Sequence, residues 1–362
     1  MHPTPDIPSD RSQELVVSAD ALRDLIVKMF VKKGMFAVEA EMVADRLIEA
    51  DLRGIHSHGS RAAPRYLNAI DLGDIDPRGS TATVTRTPAM AVLDGGRNVG
   101  HVASTRAMQM AIDMAREVGT GTVAVRNSQH FGAASVYVLM AARAGMIGYC
   151  TTSTGGATVA AYGSRKPGTA NNAFAWGAPS RTGAPFVLDM ACAASSWGKI
   201  QSQGMYGGQI PPDWALDADG HPTTVPSAAK TLLPAAGARG YGLAWMCAVL
   251  AGPLVGSRLP INKSHKPEQD GSEHFFYCID VSKFVAPEEF YDEIERGVAA
   301  IHQLPVVEGF DQVRLPGELE WERAERWRRD GIPLHRSHLR DLAEVAGQMK
   351  IAVPWETTES GS

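Results

Sequence analysis

The chain lacks the motifs by which many nucleotide-dependent enzymes are found. Its 362 residues contain neither G-x-G-x-x-G nor G-x-x-x-x-G-K-[ST], so the usual dinucleotide fingerprint and the phosphate-binding P-loop are both missing. They also lack the G-x-S-x-G elbow of serine hydrolases. From these motifs alone, neither a nicotinamide enzyme nor a serine hydrolase would be predicted.

Cysteine is also sparse, and the basic residues form no block. The four cysteines are far apart and three lie in apolar or small-residue runs, which predicts buried thiols of a cytoplasmic protein rather than disulfides or a C-x-x-C metal site. The net charge of −5 comes without a basic block, which argues against nucleic acid and anionic membranes as partners. Without a run of about 18 apolar residues, no membrane span is predicted.

The polar, proline-containing start lacks the apolar core of a secretion signal. We therefore predict a disordered tail over residues 1–14, and residues 353–362 read as a polar tail. With 44% hydrophobic and 21% charged residues, the remainder has the composition of an ordinary globular protein.

One stretch, Gly54–Tyr66, concentrates groups capable of chemistry. It reads G-I-H-S-H-G-S-R-A-A-P-R-Y, with two histidines, two arginines and two serines. Its glycines permit a tight turn and close approach of a ligand. A histidine can exchange a proton near neutral pH, and an arginine can bind a carboxylate through two parallel hydrogen bonds.

Periodicity places this stretch between helices. Ser18–Leu52 has apolar residues at three- and four-residue steps, with Ser18 as N-cap and Gly34 as a break. Ala62–Leu72 is predicted to continue as a short helix with Pro64 in its first turn.

The rest of the chain alternates strands and helices. The pattern predicts a buried strand at Thr122–Val125 followed directly by N-S-Q-H-F-G, which is where α/β proteins place functional loops. Thr154–Pro179 reads as a long functional loop, and Leu232–Gly256 as a glycine-rich turn before an interior apolar helix. The other predicted segments are strands at Ala82–Asp94, Met146–Ser153, Phe186–Met190 and His274–Ile279, helices at His101–Val118, Glu288–Leu304, Gly317–Asp330 and Ser337–Met349, and an exposed insertion at Pro260–Gly271.

Two readings compete with a redox enzyme. His56 and His58 could be two ligands of a metal-dependent hydrolase, completed from His101, His130, Asp189 and Glu318, although no second ligand pair at metal spacing is present. The chain could also be a ligand-binding protein that has lost catalysis. Our prediction for metal is none.

Several segments together resemble one family. They are R-G-I-H-S-H-G with P-R-Y, N-S-Q-H-F-G-A-A, A-Y-G-S-R-K-P-G-T, L-D-M-A-C-A-A-S-S-W-G-K, G-A-R-G-Y-G-L-A, F-F-Y-C-I-D and L-P-G-E. In this order they resemble the malate/L-lactate dehydrogenases of the non-Rossmann kind, which include sulfolactate, ureidoglycolate and diketogulonate dehydrogenases and cyclic-ketimine reductases.

The resemblance implies an α/β fold with a mixed, largely antiparallel sheet flanked by helices. It implies hydride transfer between NAD(P)H and a 2-oxo or 2-hydroxy acid or a cyclic imino acid, in a homodimer. We predict a helical lobe from residues 15–80 plus 317–352 and a cofactor-binding α/β domain over residues 81–316.

The resemblance also assigns roles. His58 is expected to donate or accept the proton with Ser57 beside it, and His130 is the second acid–base position. Asp189 is expected by the cofactor, where its carboxylate could stabilise a charged histidine. The other cofactor contacts implied are Ser153, Thr154, Gly168, Thr169, Met190, Ala191, Arg239, Gly240, Gly317 and Glu318.

Some positions depart from the family pattern. Cys192 and Ala193 replace two hydroxyl residues after D-M-A, G-T-A-N-N replaces G-T-N-P, and Arg239 replaces a lysine. The arginine expected four residues after His58 is absent, so Arg61 or Arg65 should hold the substrate carboxylate. Arg61 is favoured for its closeness to His58.

Overall fold

The computed structural model describes residues 9–181, 183–264 and 270–356. Its helices are α1 (Ala19–Lys32), α2 (Ala37–Leu52), α3 (Ala63–Asp71), α4 (Gly100–Val118), α5 (Ser135–Arg143), α6 (Trp197–Met205), α7 (Ala238–Leu250), α8 (Pro287–His302), α9 (Glu318–Asp330) and α10 (Arg336–Gln348). Its strands are β1 (Glu14–Val17), β2 (Ala82–Arg86), β3 (Met90–Asp94), β4 (Thr120–Ser128), β5 (Met146–Ser153), β6 (Val159–Ala160), β7 (Pro167–Thr169), β8 (Ala173–Ala178), β9 (Phe186–Ala191), β10 (Ala215–Leu216), β11 (Thr231–Leu232), β12 (Ser272–Asp280) and β13 (Ile332–His335).

The main sheet has seven strands in the order β2-β3-β4-β12-β5-β8-β9. β3 and β4 run parallel, and the other neighbours in this sheet run antiparallel. Helices α4 and α5 bury apolar side chains such as Met108, Ile112 and Val138 against it. The predicted mixed, largely antiparallel sheet flanked by helices is therefore confirmed.

A second apolar core joins the two ends of the chain. Leu22, Phe30 and Leu47 from α1 and α2 pack in one cluster with Leu339 and Leu342 from α10. The short strands β1 and β13, which the sequence analysis missed, pair antiparallel beside it. The predicted domain boundaries at residues 80 and 317 remain predictions.

The helices follow their sequence signals closely. Ser18 is the N-cap of α1 and accepts a hydrogen bond from the Ala21 N–H. Gly34 separates α1 from α2, and Pro64 lies in the first turn of α3. Residues 1–8 and 357–362 of the predicted tails lie outside the described residues, and Glu14 of the first predicted tail already belongs to β1.

Two loop predictions were wrong in part. Thr154–Pro179 contains β6, β7 and β8, of which β6 and β7 belong to a second, four-stranded sheet. The supposed glycine-rich turn G-A-R-G-Y-G lies mostly inside α7, whose first turn carries Arg239 and Gly240. Two- and three-residue strands leave too short a pattern to be recognised from alternation.

Helix α7 is less buried than its composition predicts. Leu243, Trp245 and Met246 are exposed, so the expectation of an interior helix was wrong for one face. With the turn that follows it, this segment (Ala238–Val255) also meets length and composition criteria for a membrane span, with 39% of it buried. One such helix is a weak indication, because apolar helices of non-membrane proteins meet the same criteria.

The four cysteines are buried free thiols, as predicted. The Pro260–Gly271 segment was predicted to be exposed, and residues 265–269 lie outside the described residues. Lys263, however, is buried, with its Nζ 2.6 Å from a Glu273 carboxylate oxygen and within hydrogen-bonding distance of the Ser153 and Gly271 carbonyls. A buried lysine is tolerated because these acceptors surround its charge.

Candidate active site

The loop between α2 and α3 is organised by one buried carboxylate. Asp51, at the end of α2, has no exposed surface. Its Oδ1 lies 2.9 Å from His56 Nδ1, and its Oδ2 accepts the Ser60 N–H at 2.7 Å. Because both oxygens are used, the two short 3₁₀ turns, His56–His58 and Ser60–Ala62, are held to the same anchor.

Gly59 makes this close approach possible. A Cβ at position 59 would lie 2.1 Å from Asp51 Oδ1, well inside van der Waals contact. A similar constraint holds at Gly198, where a Cβ would lie 2.4 Å from the Ser57 Cβ. The glycines therefore let the loop sit against both Asp51 and α6.

His56 is turned into the protein. Besides its hydrogen bond with Asp51, its ring stacks on Trp327 at 5.6 Å. Among the residues that the structure describes, the one group of ligand atoms close enough for a metal ion is Asp217, Asp219 and His221, on a different part of the chain. The hydrolase built on His56 and His58 is therefore not favoured.

His58 is half-buried and faces a second histidine. Its Nδ1 lies 2.8 Å from Ser57 Oγ, and its ring stacks on that of His130 at 5.5 Å. Burial lowers the pKa of His58 to about 4, with further lowering by the positive charges of Arg65 and Arg61. At neutral pH the ring is uncharged, and it can accept a proton.

His130 is held in one tautomer. Its Nδ1 lies 2.7 Å from the Tyr66 hydroxyl, 3.2 Å from the Gly132 nitrogen and 3.3 Å from Arg65 Nη2. The last two groups can only donate, so Nδ1 carries the lone pair and the proton resides on Nε2. Burial, with the charge of Arg65, also holds the pKa of His130 well below its usual value.

The two candidate arginines point to different places. Arg61 donates to Ser202 Oγ at 3.0 Å and to the Gly198 carbonyl at 3.1 Å, so its guanidinium is engaged by α6. Arg65 is exposed beside His130 and lines a cavity of about 310 Å³. The structure thus brings Arg65 to the cavity and turns Arg61 away towards α6.

Asp189 serves as a helix cap in the structure. Its Oδ2 accepts the Ser135 N–H at 2.8 Å, at the start of α5. Burial raises the pKa of this carboxyl group, although the Ser135 hydrogen bonds oppose the change. The charges acting on His58 are those of Arg65 and Arg61. The expected support of a charged histidine by Asp189 therefore finds no counterpart in these interactions.

The candidate cofactor residues fall into two groups. The hydroxyls of Ser153 and Thr169 are buried without a hydrogen-bond partner in the described part of the chain, and Thr154 lines the cavity. Arg239 is exposed in the first turn of α7. Unsatisfied buried hydroxyls are uncommon, so a bound polar group would complete them.

The remaining candidates already have contacts within the chain. Gly168 faces the Ala161 Cβ, and Gly240 packs its Cα against the Cys192 and Ala235 carbonyls. Gly317 has a positive φ of 95° beside Val187, and Glu318 lies 2.9 Å from His302 Nε2. Met190 and Ala191 end β9 next to Asp189.

Two functional candidates were not singled out from the sequence. Asp51 looked like an ordinary polar residue of an amphipathic helix. Tyr66 was visible in the P-R-Y motif, but its hydrogen bond to His130 joins residues 64 positions apart. Local spacing carries no signal for such a contact.

The chain is similar to known dehydrogenases in both sequence and fold. Residues 17–343 match the model of the malate/L-lactate dehydrogenase family. The malate dehydrogenase of Pyrococcus horikoshii is 34% identical over 350 residues, covering 92% of this chain and 96% of the relative. The NAD(+) ureidoglycolate dehydrogenase of Escherichia coli K12 is 32% identical over 310 residues, covering 83% and 87%. The crystal structure of Entamoeba histolytica malate dehydrogenase superposes with a TM-score of 0.90 at 29% identity, covering 95% of this chain and 100% of that one.

The fold and these matches define a dehydrogenase of hydroxy acids. The chain belongs to the malate/L-lactate dehydrogenase family.

The Asp51 anchor generates a prediction. Asp51→Asn leaves one acceptor oxygen for two donors, so it should lower the free energy of unfolding by about 1–3 kcal/mol and lower turnover, because the loop carrying His58 loses its support. Urea unfolding and steady-state rates measure both. The control is Asp45→Asn, which removes a partly exposed ion pair with Arg23 and should cost under about 1 kcal/mol. Equal effects of the two substitutions would show that Asp51 is no special anchor.

Proposed function

We propose that this enzyme oxidises a 2-hydroxy acid, or reduces the matching 2-oxo acid, with NAD(H) as the hydride carrier and His58 as the proton acceptor or donor. One observation carries the proposal: His58 is an uncharged imidazole stacked at 5.5 Å on a second imidazole whose tautomer is fixed. Reduction of a cyclic imino acid would use the same groups.

The proton chemistry follows from the two rings. In oxidation, the substrate hydroxyl gives its proton to His58 Nε2. This requires the tautomer in which the His58 Nδ1–H donates a hydrogen bond to Ser57 Oγ. His130 offers an Nε2–H, which can hydrogen-bond the substrate oxygen as charge develops on it. In reduction the same oxygen receives the proton back from His58.

Arg65 supplies the charge for the substrate carboxylate. It lies in the cavity wall beside His130, and a guanidinium can bind a carboxylate through two parallel hydrogen bonds. Tyr66, under the Arg65 guanidinium, holds the His130 tautomer and is a positioning residue. Ser57 has the same role for His58.

The cofactor assignment is supported by side chains that could bind a polar ligand and by the name of a relative. The buried, unpartnered hydroxyls of Ser153 and Thr169 are suited to a polar ligand, and Thr154 and the exposed Arg239 are further candidates. A nicotinamide, when bound, accepts the hydride from the hydroxyl-bearing carbon. NAD is proposed because the E. coli relative is named for NAD(+); use of NADP and a role for Asp189, Met190 and Ala191 remain predictions.

The test is a comparison of cofactor binding with turnover. NADH should quench the intrinsic fluorescence of wild type and of His58→Ala with similar midpoints. Turnover of 2-hydroxy acids by His58→Ala should fall about a hundred- to ten-thousand-fold, because general base catalysis is lost. More than half of wild-type turnover in the variant would make His58 structural. Failure of NADH and NADPH to bind wild type would overturn the proposal and favour a binding protein without catalysis.

The assignment of the carboxylate contact is tested by two matched substitutions. Arg65→Lys should raise the substrate KM at least several-fold, because an ammonium cannot replace the two parallel hydrogen bonds. Arg61→Lys should change KM less, since its hydrogen bonds go to α6. The cofactor KM should change little in both. A larger rise in substrate KM for Arg61→Lys than for Arg65→Lys would assign the carboxylate contact to Arg61.

The exposed face of α7 supports a homodimer. Leu243, Trp245 and Met246 form an apolar surface that one chain leaves open, and the family resemblance implies two copies. Light scattering at micromolar concentration should therefore give twice the chain mass, and Met246→Glu should lower it. Val38→Glu, also at an exposed apolar position, is the control. A fully active wild-type monomer would contradict the dimer.

A further inference from the structure

A cavity is lined by His130, one ring of the proposed acid–base pair. Its walls include Arg65, Ala69, Asp74, Ile75 and Thr154. Its volume of about 310 Å³ leaves room for a substrate with a side chain beyond the reacting carbon.

One side of α3 forms the floor of this cavity. Arg65, Ala69 and Leu72 recur at steps of four and three residues, which places them on one face. Seven residues of helix span roughly 10 Å. Arg65 therefore stands at one end of the floor, and the turn after Leu72 stands at the other.

Asp74 occupies that far end and its backbone is fixed. Its N–H donates to the Ala69 carbonyl at 2.9 Å. Its own carbonyl accepts from Gln129 Nε2 at 3.0 Å and from Arg97 Nη2 at 3.3 Å. The residue is half-buried and contributes to the cavity wall.

The Asp74 carboxylate has no partner among the residues that the structure describes. The second acid in the wall differs, because Asp270 accepts the Ser264 N–H at 2.6 Å and lies 3.7 Å from Arg258 Nη1. Arg65 thus lies at one end of the cavity, and the Asp74 carboxylate, which has no hydrogen bond or ion pair in the described part of the chain, lies at the other.

We propose that the preferred substrate is a 2-hydroxy acid whose far end carries a hydrogen-bond donor, such as an amide or an ammonium group, and not a second carboxylate. Arg65 binds the carboxylate next to the reacting carbon, and Asp74 accepts from the donor group. This inference rests on the proposed function and adds the substrate class.

The physical reason is charge selection at the far end. A dicarboxylate such as malate would place a second negative charge towards Asp74 in a partly desolvated cleft, where like charges repel more strongly than in water. An amide of the same shape avoids this repulsion and can donate to the free carboxylate. Asp74 is therefore a specificity residue outside the proton transfer.

The experiment compares substrates that differ only in this group. Racemic malate and its 4-amide, and racemic 2-hydroxyglutarate and its 5-amide, are oxidised with NAD, and kcat/KM is compared within each pair. Wild type should prefer the amide by about tenfold or more in at least one pair. Asp74→Asn should reduce that ratio at least fivefold. Binding of the same four compounds to the enzyme with NADH, followed by thermal shift, gives a readout independent of turnover.

The matched control is Asp71→Asn. It removes the same charge three positions earlier, at the last residue of α3, from an exposed carboxylate that already pairs with Lys33 at 2.5 Å, and should leave the ratio unchanged. A wild-type preference for the dicarboxylates, or a ratio that Asp74→Asn leaves unaltered, would overturn the inference while the dehydrogenase assignment stands. No response to any of the four compounds would also overturn it, and separate NADH binding would then show whether the proposed function falls as well.

Discussion

The candidate site depends on a carboxylate that never meets solvent. Asp51 binds His56 and the Ser60 N–H with its two oxygens, and Gly59 leaves the space that this approach needs. Two short turns are thereby fixed between α2 and α3. His58 belongs to the first turn, and Arg65 and Tyr66 follow the second on α3, so one anchor sets the geometry of all three.

Desolvation then decides the protonation of the two facing histidines. Both rings are removed from water and also feel the positive charge of Arg65, so the pKa values of His58 and His130 are lowered. The two rings differ in hydrogen bonding. His130 Nδ1 is surrounded by donors, whereas His58 Nδ1 meets the hydroxyl of Ser57, which can accept. One ring is therefore a fixed donor, and the other is free to act as a base.

Much of this fold can be predicted from the sequence, because a long segment with periodic apolar residues can be assigned from its local pattern alone. The signals around Ser18, Gly34 and Pro64 place α1, α2 and α3 within a residue or two. Strands such as β6 and β13 were not predicted because two to four residues carry too little pattern, and they pair with strands far away in the sequence, β11 and β1. The exposed face of α7 was not predicted, because composition does not reveal which apolar surface a single chain leaves uncovered.

The candidate site was predictable in its residue types and less so in its connections. His58, His130 and Arg65 stand in motifs that the sequence displays, and the structure brings His58 and Arg65 next to His130. The fixation of His130 by Tyr66 joins two side chains, and the anchoring by Asp51 joins its carboxylate to the His56 ring and the Ser60 N–H. They depend on how α2, α3 and the loop after β4 meet. The capping of α5 by Asp189 has the same origin, because β9 and α5 are far apart in sequence.

The proposed mechanism requires His58 to be an uncharged base at neutral pH. Its most direct test is the pH dependence of kcat/KM for hydroxy-acid oxidation, which reports the pKa of the free enzyme's base. A depressed pKa keeps the base form present until the pH falls through that pKa, which is about 4. The value at pH 5.5 should thus nearly equal that at pH 7.5, with the fold checked at both. An ordinary histidine with a pKa near 6.5 would instead lower kcat/KM at pH 5.5 to about a tenth of its value at pH 7.5. That result would show that His58 is not the base with a lowered pKa.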